Sequence, residues 1–287
     1  MKTIPIRHIA SPGREQSNAG RFSIREVQQV LNGKDLVHHL HKHDFFFVLA
    51  LEKGKGLHEI DFIEYEVHDH CIFILRPGQV HRLELRADNT GFLMEFDLSF
   101  YQPKNTITAQ RWKKASSKNY CGIEAARFIK LKLILATVFN EFNNKQEGYI
   151  EVIKANLDIF FIEYVRQSQD PKEIEKTESN YIQKRLEELI DLLETNISRM
   201  KNVSEYADFL SLSSYQLNAI TKASVGKTVS DLINEQIILE AKRFLLATPN
   251  QIKEIADYLG YEDVSYFIRF FKKHTGHSPD TFRKNFK

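Results

Sequence analysis

The sequence predicts an α+β multidomain fold: a small N-terminal β-barrel or sandwich with a helical hairpin, then an all-α domain of two helix-turn-helix units joined by a linker helix. Three observations lead to it. Residues 1 to about 101 carry short runs of β-branched and aromatic residues separated by Gly, Pro, Asn and Asp, as in "DFFFVLALEKGKGLHEID", "CIFILRPGQVHRLEL" and "NTGFLMEFDLSF", which is strand-and-turn grammar. From "GIEAARFIKLKLILATVFNEF" onward the apolar residues recur every three or four positions, the period of a helix packed on one face. The polar stretch "QSQDPKEIEKTESN" at 167–180 contains Pro171 and almost nothing apolar, so it reads as a linker.

A chain of 287 residues suits two domains. Its 42% hydrophobic and 27% charged residues belong to a folded protein, with no charge block marking a disordered tail. The longest apolar run, "FFFVLAL" at 45–51, falls far short of the ~20 residues a membrane helix needs. The N-terminus also lacks a basic-then-apolar signal pattern, so a cytoplasmic protein with no membrane partner is expected. Cys71 and Cys121 have no ligand spacing and read as reduced core thiols. A net charge of +2 decides nothing about nucleic acid, because a binder needs a local basic face rather than a basic average.

The strands are short, which suits a small barrel or sandwich. Two long helices follow, about 123–143 and 149–167, joined by the polar "NNKQEG" into an antiparallel hairpin. Their apolar stripe (Phe128, Leu131, Leu135, Val138 and Phe142; Ile153, Leu157, Phe160 and Tyr164) is wide enough to cover the sheet and to meet a second subunit, so a homodimer is expected. The expected organisation is thus 1–166 for the barrel with its hairpin helices (about 122–167), 167–180 for the linker and 181–287 for the C-terminal domain.

The C-terminal domain repeats itself at an offset of about 50 residues. "ADFLSLSSYQLNAITKASVGKTVSDL" (207–232) aligns with "ADYLGYEDVSYFIRFFKKHTGHSPDTF" (256–282): Ala207, Asp208 and Leu210 match Ala256, Asp257 and Leu259. After one extra residue in the second turn, Leu217, Lys222 and Gly226 match Phe267, Lys272 and Gly276. Each copy reads helix, tight turn, helix, glycine stop, a pattern in which the second helix can enter the major groove of DNA. Gly260 can take the left-handed turn conformation, and Ser213 and Asp263 can cap the following helices. The amphipathic segment 229–248 joins the copies.

These residues resemble the AraC/XylS family of bacterial transcription regulators. The resemblance is densest in "KRFLLATPNQIKEIADYLGYEDVSYFIRFFKKHTGHSPDTFRK" (242–284) and extends over roughly 181–287. "HKHDFFFVLAL" and "FILRPGQVH" are similar to the cupin-like sensor of the same family. The resemblance implies a cupin-like barrel that binds a small-molecule effector, a dimerising helical segment, and a bipartite reader of double-stranded promoter DNA, with RNA polymerase a further candidate partner.

At 100° per residue, the helix beginning at Asp263 places Phe267, Phe270, Phe271 and His274 in one arc, to be buried. The opposite arc holds Val264, Ser265, Ile268, Arg269 and Lys272. The Arg269 fork suits a guanine edge or a phosphate, Val264 and Ile268 suit thymine methyl groups, and Ser265 can donate or accept. Arg269, Lys272, Lys273, Arg283, Lys284 and Lys287 face only Asp280 as an acid within 264–287, which makes the local basic face. By the repeat offset, the first copy presents Ser214, Tyr215, Asn218, Ala219 and Lys222, while Leu217, Ile220 and Thr221 point inward. Asn218 suits an adenine edge and Tyr215 a phosphate or a thymine methyl. Two positions depart from the family pattern: Ala219 replaces a longer polar residue and Thr221 a core phenylalanine.

In the N-terminal half, "HLHKHDF" and "PGQVH" are similar to the cupin metal pattern, in which three histidines converge. His41, His43 and His81 can do this, but the acidic ligand that pattern expects after His43 is replaced by Phe45, Phe46, Phe47 and Val48. The expectation is therefore a small-molecule pocket lined by His41, His43, Phe45, Phe47 and His81, with no metal and no cofactor. Competing readings are a metal-dependent cupin enzyme with a helical appendage, and a regulator with no ligand.

Overall fold

The computed structural model describes residues 4–7, 9, 21–102, 106–168 and 179–286. The chain divides into two compact units, Pro5–Pro171 and Lys172–Lys287, the second also taking in Met1–Ile4. Of the expected linker, 169–178 lie outside the described residues, while Gln167, Ser168, Ser179 and Asn180 belong to the flanking helices rather than to a loop.

The N-terminal unit runs β1 (Ile6–Arg7), β2 (Phe22–Glu26), α1 (Val27–Leu31), β3 (Leu36–His43), β4 (Phe46–Lys53), β5 (Gly56–Ile60), β6 (Ile63–Val67), β7 (Cys71–Leu75), β8 (Val80–Leu85), β9 (Thr90–Phe96), α2 (Thr106–Ser116), β10 (Tyr120–Gly122), α3 (Ala125–Asn144) and α4 (Tyr149–Ser168). It forms two five-stranded sheets, ordered β1-β3-β8-β5-β6 and β10-β7-β4-β9-β2. Among the described residues all pairings are antiparallel except β1 with β3.

Strands β4 and β7 are buried on both faces, which is why they read as unbroken apolar runs rather than as alternation. Parity divides their side chains. Phe47, Leu49, Leu51, Phe73 and Leu75 enter the interior between the sheets. Phe46, Val48, Ala50, Ile72 and Ile74 turn outward, and Phe128, Leu131, Leu135 and Val138 of α3 and Ile153, Leu157, Phe160 and Tyr164 of α4 pack over them. Phe142, expected in the same stripe, is half-buried and meets Phe22 edge-on at 5.4 Å.

Helix α2 has no counterpart in the sequence reading, because its eleven residues are mostly polar. Trp112 and Ala115 nevertheless dock it, with the indole 4.5 Å from both Phe46 and Phe161. No helix among the described residues is long and apolar enough to cross a membrane.

The C-terminal unit consists of α5 (Ser179–Asn196), α6 (Val203–Phe209), α7 (Ser214–Val225), α8 (Val229–Ala247), α9 (Ile252–Tyr258), α10 (Val264–Thr275) and α11 (Pro279–Phe286). The sequence repeat is a structural repeat: α6 and α9 each have seven residues, α7 and α10 each have twelve. Their turns match bond for bond. Ser211 N–H donates to Asp208 O at 3.0 Å and Leu212 N–H to Ala207 O at 2.9 Å; Gly260 and Tyr261 repeat this to Asp257 and Ala256, both at 2.9 Å. Capping boxes at Asn202, Ser213, Thr228 and Gln251 satisfy helix-start donors that would otherwise be orphaned.

Both turns need a left-handed residue, Ser211 at φ 55° and Gly260 at φ 71°. Serine bears a steric cost there that glycine does not. Ser211→Gly is therefore expected to stabilise the unit by about 0.5–1 kcal/mol. Gly260→Ala has the opposite sign, since a Cβ at Gly260 would lie 2.5 Å from Ser198 O and 2.5 Å from Lys201 Nζ; it should cost about 2 kcal/mol. Urea melts of the two variants check this, and equal signs would contradict the shared turn geometry.

Candidate nucleic-acid interface and buried histidine cluster

Helix α10 starts where Asp263 Oδ1 accepts from Ser265 N–H at 2.7 Å and stops where Gly276, at φ 79°, bonds back to Lys272 O. Phe267 and Phe271 are fully buried. Phe267 packs on Tyr261 at 5.3 Å and Phe271 on Phe282 of α11 at 5.5 Å. Two expectations need correcting. Phe270 is only half-buried, because it lies about 60° off the Phe267 direction; it leans on Tyr261 at 5.8 Å and His274 at 4.6 Å. His274 is exposed, as a polar imidazole with no buried partner in the last turn should be.

The solvent face of α10 is centred on Arg269, whose side chain is 69% exposed, with Ser265 and Lys272 beside it. Val264 and Ile268 are half-buried on one flank, while exposed Tyr266 and Lys273 extend the other. Tyr266 was not singled out in sequence; the rotation that exposes Arg269 also exposes it. Asp263 lies 3.8 Å from Arg269, an exposed pair that constrains the guanidinium only weakly.

Arg283 does not belong to the exposed basic face. Its Nε donates to Leu245 O at 2.9 Å and its Nη2 to Asn250 O at 2.6 Å, so it ties α11 to the C-terminal end of α8. Lys284 is exposed, and Lys287 lies outside the described residues.

In the first copy, Leu217, Ile220 and Thr221 are buried as expected, and the Thr221 hydroxyl is satisfied by Asn218 O at 3.2 Å. That bond lets a small polar residue fill an inward position. Ser214, Tyr215, Ala219 and Lys222 are exposed. Asn218 differs from its sequence reading: its Oδ1 accepts from Val229 N–H at 3.0 Å and its Nδ2 donates to Ser214 O at 2.9 Å. The amide is engaged in holding the start of α8 to α7, not in facing solvent.

Inside the barrel, β3 supplies His41 and His43, β8 supplies His81, and β5 supplies His58; all four are buried. His41 pairs with His81 across β3 and β8 after a register shift between His38 and His41. His43 Nε2 lies 2.7 Å from His81 Nε2, His81 Nδ1 lies 2.9 Å from His58 Nε2, and His41 Nδ1 lies 2.6 Å from His39 O. Burial lowers the His41 pKa to about 4, those of His43 and His58 to about 3, and that of His81 well below the ordinary value. The rings are therefore neutral near pH 7.

Phe45 and Phe47 are buried beside His43 at centroid distances of 4.3 and 5.5 Å. The five residues expected to line a pocket thus come together, but their rings fill the space between them. His58 was missed; the alternation of "GLHEI", which sends Ile60 inward, carried the signal.

The AraC-like ligand binding domain model matches residues 31–103 and the helix-turn-helix domain model matches 206–285. Among curated proteins, an uncharacterized HTH-type transcriptional regulator, YfiF from Bacillus subtilis, is 22% identical over 86% of this chain and 79% of its own length. The HTH-type transcriptional activator RhaS from Pectobacterium carotovorum is 24% identical over 85% of this chain and 86% of its own. Among solved structures, the C-terminal domain of AraT, a response regulator from Geobacillus stearothermophilus, is 26% identical over 38% of this chain and 88% of that one, with a TM-score of 0.34. A ligand-binding β-rich domain followed by a duplicated helix-turn-helix unit places this chain in the AraC/XylS family of DNA-binding transcriptional regulators.

Proposed function

We propose that this regulator reads its operator chiefly through α10. Arg269 contacts a guanine edge or the flanking phosphate, Ser265 a base edge, Lys272 a phosphate, and Val264 and Ile268 the methyl face of a thymine. The observation carrying this reading is the Arg269-centred solvent face, held in place by Phe267 and Phe271 on the opposite side. The first copy contributes Ser214, Tyr215, Ala219 and Lys222 and reads fewer bases, because Asn218 is engaged within the fold.

An effector acts through the barrel lined by His41, His43, Phe45, Phe47 and His81, shifting the population of DNA-competent molecules by its differential affinity. The protein works in the cytoplasm as a homodimer, with RNA polymerase as a further partner, and carries out no chemical turnover. Dimerisation is supported by an apolar stripe on the outer face of the hairpin, where Ile129, Leu133 and Ile159 are exposed. Leu133→Glu is expected to shift the protein to monomer in analytical ultracentrifugation, and an unchanged dimer would place the interface elsewhere.

Footprinting the purified protein on genomic DNA identifies the operator. On that operator Arg269→Ala should lower affinity by about 1–3 kcal/mol and relax the base preference at one position. Undiminished binding and preference in the variant would remove α10 from the reading.

A further inference from the structure

The orientation of the four barrel histidines leaves one buried lone pair that the protein itself does not use, on His41, and a second, on His81, that only His43 meets. His41 Nδ1 lies 2.6 Å from the His39 carbonyl oxygen, so Nδ1 carries the proton and donates it there. Its Nε2 is then a bare acceptor, buried and without a hydrogen-bond partner. His81 Nδ1 can donate to His58 Nε2, 2.9 Å away, which leaves the His81 Nε2 lone pair to accept from His43 Nε2–H at 2.7 Å; His43 ligates through that nitrogen once its proton sits on Nδ1 instead. One ligand nitrogen from each of His41, His43 and His81 lies within 4.8 Å of the others. A ring nitrogen whose other nitrogen donates to a fixed carbonyl or a second ring is the arrangement by which proteins aim imidazoles at metal ions.

We propose that the barrel binds one divalent transition-metal ion through His41, His43 and His81, with the His39 carbonyl and the His58 ring orienting two of the ligands, and that this ion is the effector. The proposal rests on the reading that the barrel is the effector-binding unit of the regulator, and it names the class of ligand.

The chemistry favours such an ion over the alternatives. Three neutral imidazoles with no carboxylate among them suit Zn²⁺, Cu²⁺ or Ni²⁺ and discriminate against Mg²⁺ and Ca²⁺. An organic molecule would have to displace Phe45 and Phe47, whose rings already pack on His43. Two nitrogens each 2.0–2.1 Å from a tetrahedral ion sit about 3.3 Å apart. Loading therefore parts His43 from His81 and draws His41 inward. All three ligands belong to the paired strands β3 and β8, so the ion acts on one strand pair, and occupancy can bias the conformation of the unit.

The test uses the full-length, tag-free chain stripped with a chelator. Zn²⁺ is titrated in competition with a chromophoric chelator, and Co²⁺ is added separately as a spectroscopic probe. The expected result is one ion per chain, a visible Co²⁺ spectrum of nitrogen ligation, and at least a 100-fold loss of affinity in His41→Gln and His81→Gln. His58→Gln should lose 10–100-fold, while His68→Ala, which removes an exposed imidazole between β6 and β7, should be unchanged. Absence of a stoichiometric ion, or affinity unaltered by His41→Gln and His81→Gln, overturns the site. Should a variant fail to fold, the Co²⁺ spectrum of the unaltered chain still decides.

Operator affinity with and without Zn²⁺ tests the effector role, with a change of about 5-fold or more expected. Bound zinc with unchanged operator affinity overturns that role. Loss of DNA binding under both conditions would instead count against the regulator's reading face.

Discussion

Replacing Phe271 with alanine is expected to cost the C-terminal unit about 3–5 kcal/mol. Its ring is fully buried between Phe267 at 6.1 Å and Phe282 at 5.5 Å, so truncation leaves a cavity that α10 and α11 share. A loss of that size is a large fraction of the stability of a domain of about a hundred residues, and DNA binding should fall with it. Phe270→Ala, by contrast, removes a half-buried ring from the margin of the stripe and should cost about 1 kcal/mol. Urea melts followed by helical circular dichroism compare the two. Equal costs would mean that the inward face of α10 is misassigned, and with it the outward face that carries Arg269.

Acid should unfold the barrel steeply. The folded pKa values of the cluster lie below the unfolded value of 6.5, by burial, at about 3 for His58 and well below the ordinary value for His81. Between pH 6.5 and about 4 the unfolded chain takes up protons that the folded chain refuses. Stability is thus fully present above pH 6.5 and is lost as pH falls through that window. Each histidine that stays neutral in the fold contributes a slope of about 1.4 kcal/mol per pH unit, or about 2.7 for His58 and His81 together. Trp112 is the chain's one tryptophan and sits between Phe46 and Phe161, so its fluorescence reports this unit. Chelator-containing urea melts at pH 7 and pH 5 should differ by several kcal/mol, and His58→Gln should lower the slope by about one proton. A flat profile would show that the histidines are solvated.

Much of the C-terminal architecture was legible in the sequence because local signals agreed with one another. The Ala207 and Ala256 positions, the Gly226 and Gly276 stops and the caps at Ser213 and Asp263 each specify geometry within a few residues of themselves. What escaped depends on neighbours distant in the chain. Arg283 looks like a surface cation until the carbonyls of Leu245 and Asn250, more than thirty residues away, are brought to it. Asn218 looks free until Val229 N–H arrives at the start of α8. Helix α2 has too few apolar residues to announce itself, and only the pocket between Phe46 and Phe161 gives Trp112 a place. In the barrel, His41, His43, Phe45, Phe47 and His81 lie together as the period of two suggests; the alternation of "GLHEI" turns His58 inward as well, but only the register of β5 against β8 brings it to His81.

The measurement that bears most directly on the reading face is a salt titration of the full chain on its footprinted operator. If Arg269 and Lys272 meet DNA, affinity should fall steeply as salt rises, and Lys272→Ala should reduce the slope of log K against log salt by about 1 while weakening all sequences alike. Salt-independent binding, or a Lys272→Ala slope identical to that of the unaltered protein, would contradict the placement of α10 on the DNA.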